Sequence, residues 1–174
     1  MTISSEKFAD LFKTFEHEAF RLETLDDYSR SGNADVYRQF TAGQPKPDDY
    51  NSRWLSELRT HTENGKRVYR VHIVTRPLTS YLQYELGWGY QTNMAAGEEF
   101  FILDVTNRPN PLSGIPDFWL FDSRIAAIMN YDGAGAFTGA NVLPEDRARE
   151  FVDLRQTALA EAEPFTSWWA EHGG

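Results

Sequence analysis

Four large apolar residues, at positions 118–121, stand between Asp117 and Asp122. A short apolar run that is closed by a charge at each end is typical of a strand buried on both faces of a sheet. Residues 122–124 are polar, and a segment of this length is short enough to form a tight turn. The apolar run 125–131 then follows. The pattern predicts a central hairpin in a sheet that has layers on both sides.

Apolar spacing along the rest of the chain predicts the elements around this hairpin. Helices are expected over residues 4–20 (with Ser4 or Ser5 as N-cap), 35–40, 50–62, 78–87 and 144–163. Strands are expected over residues 20–28, 66–75, 98–105 and 137–142, the last at an edge of the sheet, and residues 90–97 and 165–174 are expected to form a loop and an aromatic tail. The prediction is an α/β fold in a single domain, residues 1–174, with one mixed sheet of about five to seven strands and helices packed on it.

The strand predicted over residues 66–75 carries charge on one face, because Arg70 and His72 alternate with apolar residues. Cations and carboxylates at strand ends of an α/β sheet often surround a pocket. The candidates for a small anionic ligand are Arg70, His72, Arg76, Tyr81, Glu85, Asp117 and Asp122. A structural ion-pair network that fixes the register of the sheet is the alternative explanation, and the sequence leaves both open.

The formal net charge of −9 is unevenly distributed. Residues 1–90 hold 12 basic and 13 acidic residues, whereas residues 91–174 hold 5 and 13, which gives net charges of −1 and −8. Such a surface repels nucleic acid and favours a basic protein partner. The aromatic residues expected on a partner surface are Trp88, Tyr90, Trp168 and Trp169.

Several kinds of chemistry have no sequence signal. The chain has no cysteine, and no apolar run reaches the ~18–20 residues of a membrane span. It contains no Gly-x-Ser-x-Gly motif and no metal-site spacing such as His-x-x-x-His. We therefore expect a cytoplasmic protein without membrane contact, catalytic residue, metal or cofactor.

Short motifs along essentially the whole chain resemble an actinobacterial family of single-domain proteins classed as a domain of unknown function. The motifs are Arg21-Leu22-Glu23 followed by Tyr28, then Trp54-Leu55, Gly65-x-x-Val68-x-Arg70-Val71-x-Ile73-Val74, Pro77-Leu78-x-x-Tyr81-Leu82, Ala96-Gly97-Glu98 and the most specific one, Asp117-Phe118-Trp119-Leu120-Phe121-Asp122. Members look to be encoded beside helix-turn-helix regulators and small acidic partners, which implies a regulatory role. The position of His72 is more usually arginine in the family, which counts against a catalytic histidine.

The order of elements also resembles half of a phospholipase D-type domain: helix, Gly-x-x-Val strand, helix, strand, a hairpin between two aspartates, and a final helix. The catalytic pattern of that superfamily, His-x-Lys-x-x-x-x-Asp, occurs at none of the four histidines, so this resemblance implies the fold without the chemistry. The function predicted is a non-catalytic regulatory or protein-interaction module, with a helix-turn-helix transcription regulator as its partner. The alternatives are a sensor of a small anionic ligand near Arg70 and Asp122, and a phosphoester hydrolase.

Overall fold

The structure, a computed structural model, describes residues 2–3 and 5–173 and contains one mixed sheet of eight strands. The strands are β1 (Thr2–Ile3), β2 (Glu18–Glu23), β3 (Arg67–Val74), β4 (Glu99–Asp104), β5 (Phe118–Phe121), β6 (Ile125–Tyr131), β7 (Phe137–Val142) and β8 (Glu163–Pro164). Their order across the sheet is β1-β7-β6-β5-β2-β3-β4-β8. The α/β prediction is confirmed. The sheet has eight strands where about five to seven were expected, because the two-residue strands β1 and β8 add to its edges. Strand β7, which was expected to be the edge, pairs with β1.

The pair β2–β3 and the pair β3–β4 are parallel, and all other neighbours in the sheet are antiparallel. The helices are α1 (Ser5–Thr14), α2 (Ala34–Thr41), α3 (Ser52–Glu63), α4 (Ser80–Tyr84), α5 (Gln91–Ala95), α6 (Ala148–Glu161) and α7 (Phe165–His172). Helix α6 packs on one face of the sheet, and α1, α3, α4, α5 and α7 contribute to the clusters on the other. Among the described residues, no helix is long and apolar enough to cross a membrane.

The predicted central hairpin is formed by β5 and β6. All four residues of β5 are buried, and they alternate between the two faces of the sheet. Residues 122–124 connect the paired residues Phe121 and Ile125. Asp122 and Ser123 have φ angles of 53° and 55°, and the backbone N–H of Arg124 donates to the carbonyl oxygen of Phe121 at 2.9 Å, which closes a tight turn. Strand β5 lies between β6 and β2, so the hairpin is at the middle of the sheet.

The first helix is shorter than predicted, because the chain after it becomes a strand. Helix α1 ends at Thr14 and β2 starts at Glu18 rather than at residue 20. The carboxylate of Asp122 accepts hydrogen bonds from the backbone N–H groups of residues 16, 17 and 18 at 2.8, 2.7 and 3.0 Å. These bonds fix residues 16–18, where the chain enters β2. The N-cap expected at Ser4 or Ser5 concerns side chains outside the described residues.

The chain is helical from residue 80 to residue 95, where a loop was expected from Tyr90 onward. A π-helical turn, Glu85–Tyr90, joins α4 to α5. Gly89 of this turn lies against Tyr50, whose hydroxyl would be 3.1 Å from an added Cβ. The C-terminal aromatic residues likewise form a helix, α7, rather than a tail.

The face of the sheet opposite α6 carries two apolar clusters with a polar strip between them. One cluster lies under α1 and α3, and the other lies under α4, α5 and α7. The strip is polar because Arg21 and Glu23 alternate along β2 with residues that face α6, and Arg70 and His72 do the same along β3. The candidate functional site lies on this polar strip.

Candidate functional site

Strand register brings the polar residues of β2 and β3 together. Arg21 pairs with Arg70 and Glu23 pairs with His72 across the parallel ladder. Paired residues in neighbouring strands point to the same face, with their Cβ atoms about 5 Å apart. Asp117 joins them because it immediately precedes β5, which is hydrogen-bonded to β2.

Arg70 lies between two buried carboxylates. Its Nε donates to Glu98 Oε1 at 2.5 Å, and its Nη1 donates to Glu23 Oε1 at 3.3 Å. Burial alone would lower the pKa of Arg70, but the charges of Glu98 and Glu23 outweigh it and raise that pKa. The other oxygen of Glu98 accepts from Trp54 Nε1 at 3.2 Å and from Asn93 Nδ2 at 3.1 Å. Both oxygens of this carboxylate are therefore satisfied.

Asp117 is a second buried carboxylate with several donors. It accepts from the backbone N–H of Thr24 at 2.9 Å, from the Thr24 hydroxyl at 2.5 Å and from the Tyr28 hydroxyl at 2.5 Å. Arg21 Nη2 lies 3.4 Å from it and donates to the Tyr131 hydroxyl at 3.0 Å. The Nε atom of Arg21 is buried and has no acceptor among the residues that the structure describes.

His72 is fully buried, and both of its ring nitrogens have partners. Nε2 lies 2.9 Å from the carbonyl oxygen of Leu25, to which it can only donate. Nδ1 lies 2.8 Å from the Tyr90 hydroxyl, which is 2.7 Å from Glu23 Oε1. His72 is thus a satisfied core histidine. Tyr90 is 2% exposed, so its assignment to a partner surface was wrong: the ring is needed inside this network.

Glu85 and Glu23 form a pair of carboxyl groups whose pKa values are shifted in opposite directions. Burial raises the pKa of Glu23, but Arg21 and Arg70 outweigh it and lower that pKa. Burial, followed by the charge of Glu23, raises the pKa of Glu85 well above its ordinary value. Oε2 of Glu85 is buried, and no donor faces it within the described part of the chain. Of the two carboxyl groups, Glu85 is the one whose surroundings favour the neutral form.

The π-helical turn accounts for the placement of Glu85 and Tyr90. Its hydrogen bonds join residues five apart, whereas those of an α-helix join residues four apart. Both side chains can therefore reach the same buried network from the same side, and Tyr81 precedes Glu85 by four residues on the same face. Single π-helical turns are frequent at functional sites.

A cleft opens above this network. It comprises two cavities of about 590 and 270 Å³, and Arg21, Tyr81 and Glu85 line both of them. Many of the side chains that line the larger cavity are aromatic; they include Tyr50, Trp54, Tyr84, Tyr90 and Trp119. One ligand atom from each of Glu23, His72 and Glu85 lies within 4.8 Å of the others, which is the arrangement among the described residues that could hold a cation.

The comparisons with known proteins agree with this fold. Residues 6–170 match the family described as a domain of unknown function (DUF6879). The chain belongs to this family. No curated protein matches the chain. The structure is similar to the crystal structure of a phospholipase D family member, Nuc from Salmonella typhimurium, with a TM-score of 0.53 and 9% identity over 92% of this chain and 90% of that chain. The likeness shows the fold alone, and it confirms the predicted phospholipase D-like architecture.

The structure brings together five of the seven predicted ligand-binding residues and separates two. The five that meet in or under the cleft are Arg70, His72, Tyr81, Glu85 and Asp117. Asp122 lies at the other end of β5, roughly 17 Å from Asp117 at the rise of a strand, where it holds the entry to β2. Arg76 follows the far end of β3, and its Nε donates to Asp104 Oδ2 at 2.6 Å. The predicted pocket near Arg70 and Asp122 is therefore wrong, and the cleft lies near Arg70 and Asp117 instead.

Of the predicted partner-surface residues, Trp168 also needs correction. Its side chain is completely buried, and its Nε1 donates to Asp104 Oδ2 at 3.0 Å. Trp88 and Trp169 are half-buried and line another cavity, of about 550 Å³, beside Arg76. These two remain candidates for a surface site.

The prediction missed most of the network on β2 and around it. The residues are Arg21, Glu23, Tyr28, Tyr90, Glu98 and Tyr131. A signal was present for two of them, because Arg21 and Glu23 alternate with large apolar residues as Arg70 and His72 do. The others depend on which strands and helices become neighbours.

The pH dependence of stability provides a test of the Asp122 interactions. Burial raises the pKa of Asp122, but the three backbone N–H donors outweigh it and lower that pKa. The carboxylate therefore contributes stability above its unfolded pKa of about 4, and this contribution is lost as the pH falls through the lower folded pKa. The free energy of unfolding lost in Asp122→Asn should be largest near pH 7 and shrink below about pH 4, as measured by urea denaturation. A pH-independent loss would contradict this role.

Proposed function

We propose that this domain is a non-catalytic regulatory module that binds a small polar ligand in the cleft. The observation that carries the proposal concerns Arg21 Nε and Glu85 Oε2, two of the three buried side-chain atoms that have no hydrogen-bond partner in the described part of the chain; both are on residues that line the two cavities, whereas the third, His61 Nε2, lies outside them. More than about 90% of buried polar groups in proteins have hydrogen-bond partners. The volume of about 590 Å³ is within the usual range for small-molecule pockets.

An ion-pair network and a ligand site are compatible in this molecule. Glu98 and Asp117 have donors for their oxygens, as a purely structural network requires. The two atoms without partners both belong to residues on the cleft side. A network built only to fix the register of the sheet would have no reason to leave its unmatched groups there.

The balance of charge bears on the class of ligand. The guanidinium groups of Arg21 and Arg70 already face three carboxylates, those of Glu23, Glu98 and Asp117. A purely anionic ligand, which the sequence favoured, would add to a negative excess. The proposal therefore keeps ligand binding and changes the class to a polar ligand that accepts a hydrogen bond from Arg21 and interacts with Glu85.

Blocking the mouth of the cleft tests the proposal. Ala9 is exposed on α1 and lines the larger cavity, so Ala9→Trp should fill the entrance without touching the buried network. Ala160, exposed on α6 at the opposite face of the sheet, gives the matched control Ala160→Trp. A low-molecular-mass extract of the source cells should raise the Tm of the wild type and of Ala160→Trp by about 2–4 °C for each kcal/mol of binding, but not the Tm of Ala9→Trp. Equal shifts in all three proteins, or none, would contradict ligand binding in the cleft.

A basic protein partner, of which a helix-turn-helix regulator is the kind that the family resemblance implies, is the second candidate. The net charge of −9 favours it. However, Glu98, Glu99 and Asp104 of the acidic half pair with arginines of the first half, so the excess is not one continuous acidic face. A complex between the domain and such a regulator should form at about 0.05 M salt and weaken strongly by about 0.3 M. Failure to form at low salt would remove this candidate.

A further inference from the structure

We propose that the cleft binds the ammonium group of a small amine between Glu23 and Glu85, in exchange for the proton that this carboxyl pair holds. The inference rests on the proposed function and names the ligand chemistry of the same site. The proton leaves Glu85 for solvent when the amine enters as its ammonium form, so the charge of the site is conserved.

The positions of the Glu23 and Glu85 carboxyl groups fit an ammonium group, which is the first argument. Oε2 of Glu85 lies 3.8 Å from His72 Nδ1, and one carboxylate oxygen of Glu85 lies within 4.8 Å of a carboxylate oxygen of Glu23. No described side chain or backbone group donates to it. An ammonium group has three N–H donors on one atom, and it could reach the oxygens of both carboxyl groups at once.

Charge is the second argument. With Glu85 neutral, two guanidiniums face the three carboxylates of the network, and ionisation of Glu85 would add a fourth negative charge opposite the same two guanidiniums. The titratable groups around Glu85 are Arg21 and Glu23 from β2, Arg70 and His72 from β3, Tyr50 before α3, Tyr81 and Tyr84 from α4, Tyr90 from the π-helical turn and Tyr131 from β6. A ligand cation would supply the missing positive charge.

The walls of the cleft are the third argument. Tyr81 and Tyr84 have ring centroids 5.6 Å apart, and Tyr50 is 6.3 Å from Tyr84. All three line the larger cavity together with Glu85. Aromatic faces attract cations, by about 0.5–2 kcal/mol. An organic ammonium can use both these faces and the carboxyl pair.

A metal ion is less well matched to the same three residues. Both nitrogens of His72 are hydrogen-bonded, so a metal would have to displace Tyr90 or Leu25. Arg70 Nη1 lies 3.3 Å from Glu23 Oε1 and competes for that oxygen. Ammonium binding needs neither bond to break.

Three probes of similar shape test the inference: benzylammonium, benzyl alcohol and benzoate. At about 10 mM, ten times the ~1 mM Kd that suits a fragment of about eight non-hydrogen atoms, benzylammonium should raise the Tm by about 3–5 °C. The rise should be lost in Glu85→Gln, which keeps the shape of the neutral acid. It should persist in Glu57→Gln, since Glu57 lines the same cavity but pairs with Arg53 at the rim.

Calorimetry gives a second readout of the exchange. Binding of benzylammonium to the wild type should release about one proton, which appears as a difference between the enthalpies measured in phosphate and in Tris buffer at one pH. Affinity should also rise by up to tenfold for each unit by which the pH increases, as long as the pH stays below the pKa of Glu85, because protons compete with the ammonium group for this carboxyl. Absence of proton release would overturn the exchange.

The remaining outcomes separate this inference from the proposed function. A Tm rise with benzoate, lost in Ala9→Trp and kept in Glu85→Gln, would overturn ammonium binding and leave the cleft as a ligand site. A rise with Mn²⁺ alone that depends on Glu85 would assign the site to a metal instead. No response to benzylammonium would overturn the inference, while the extract experiment with Ala9→Trp decides the proposed function independently.

Discussion

Arg70→Ala is expected to lower the free energy of unfolding by about 3–5 kcal/mol. The substitution removes the guanidinium that faces Glu98 and Glu23; it leaves Glu98 buried without its cation, and Glu23 with Arg21 alone. An uncompensated buried charge is among the most destabilising changes that one substitution can make. The loss is measured by urea denaturation at pH 7.

Arg67→Ala is the matched control for Arg70→Ala. Arg67 lies on the same strand and its Nε is 2.7 Å from Glu99 Oε2, but both side chains are about half exposed. Exposed ion pairs contribute less than about 1 kcal/mol. Similar small losses for the two variants would mean that the buried network does not hold the sheet together as described.

Trp168→Ala is expected to lower the free energy of unfolding by about 3–5 kcal/mol. The side chain is completely buried on the inner face of α7 and donates to Asp104, so the substitution leaves a large cavity and removes one of the donors to that carboxylate. Thermal or urea unfolding measures the loss. The neighbouring Trp169 is only half-buried, and Trp169→Ala should cost clearly less.

The same pair of variants distinguishes a core residue from a partner surface. If Trp168 belonged to a surface for a protein partner, as the sequence suggested, Trp168→Ala would weaken association and barely change unfolding. A loss no greater than that of Trp169→Ala would contradict its place in the core.

The sequence was most informative where a pattern has one physical solution. Four large apolar residues between Asp117 and Asp122 can be buried on both sides only inside a sheet, and the structure places β5 there. The alternation along β3 likewise assigned Arg70 and His72 to one face. The order of the predicted elements indicated the α/β architecture, and the resemblance to a phospholipase D-type half-domain agreed with it.

Predictions failed where the outcome depends on neighbours that are distant in the chain. Asp117 and Asp122 look equivalent in sequence, but one faces Arg21 and the other binds backbone N–H groups of the chain before β2. Tyr90 looked like a loop residue beside Gly89, because the π-helical turn that carries it is stabilised by packing rather than by local propensity. The register of β2 against β3, which joins Arg21 to Arg70, has no local signal.

The central claim is that the cleft above Arg21 and Glu85 holds a small ligand. Native mass spectrometry tests it most directly, after the protein has been incubated with a low-molecular-mass extract of the source cells and separated from unbound material. The account predicts one discrete added mass on the wild type and on Ala160→Trp, and none on Ala9→Trp. An unchanged mass for all three proteins, or the same added mass on Ala9→Trp, would contradict it.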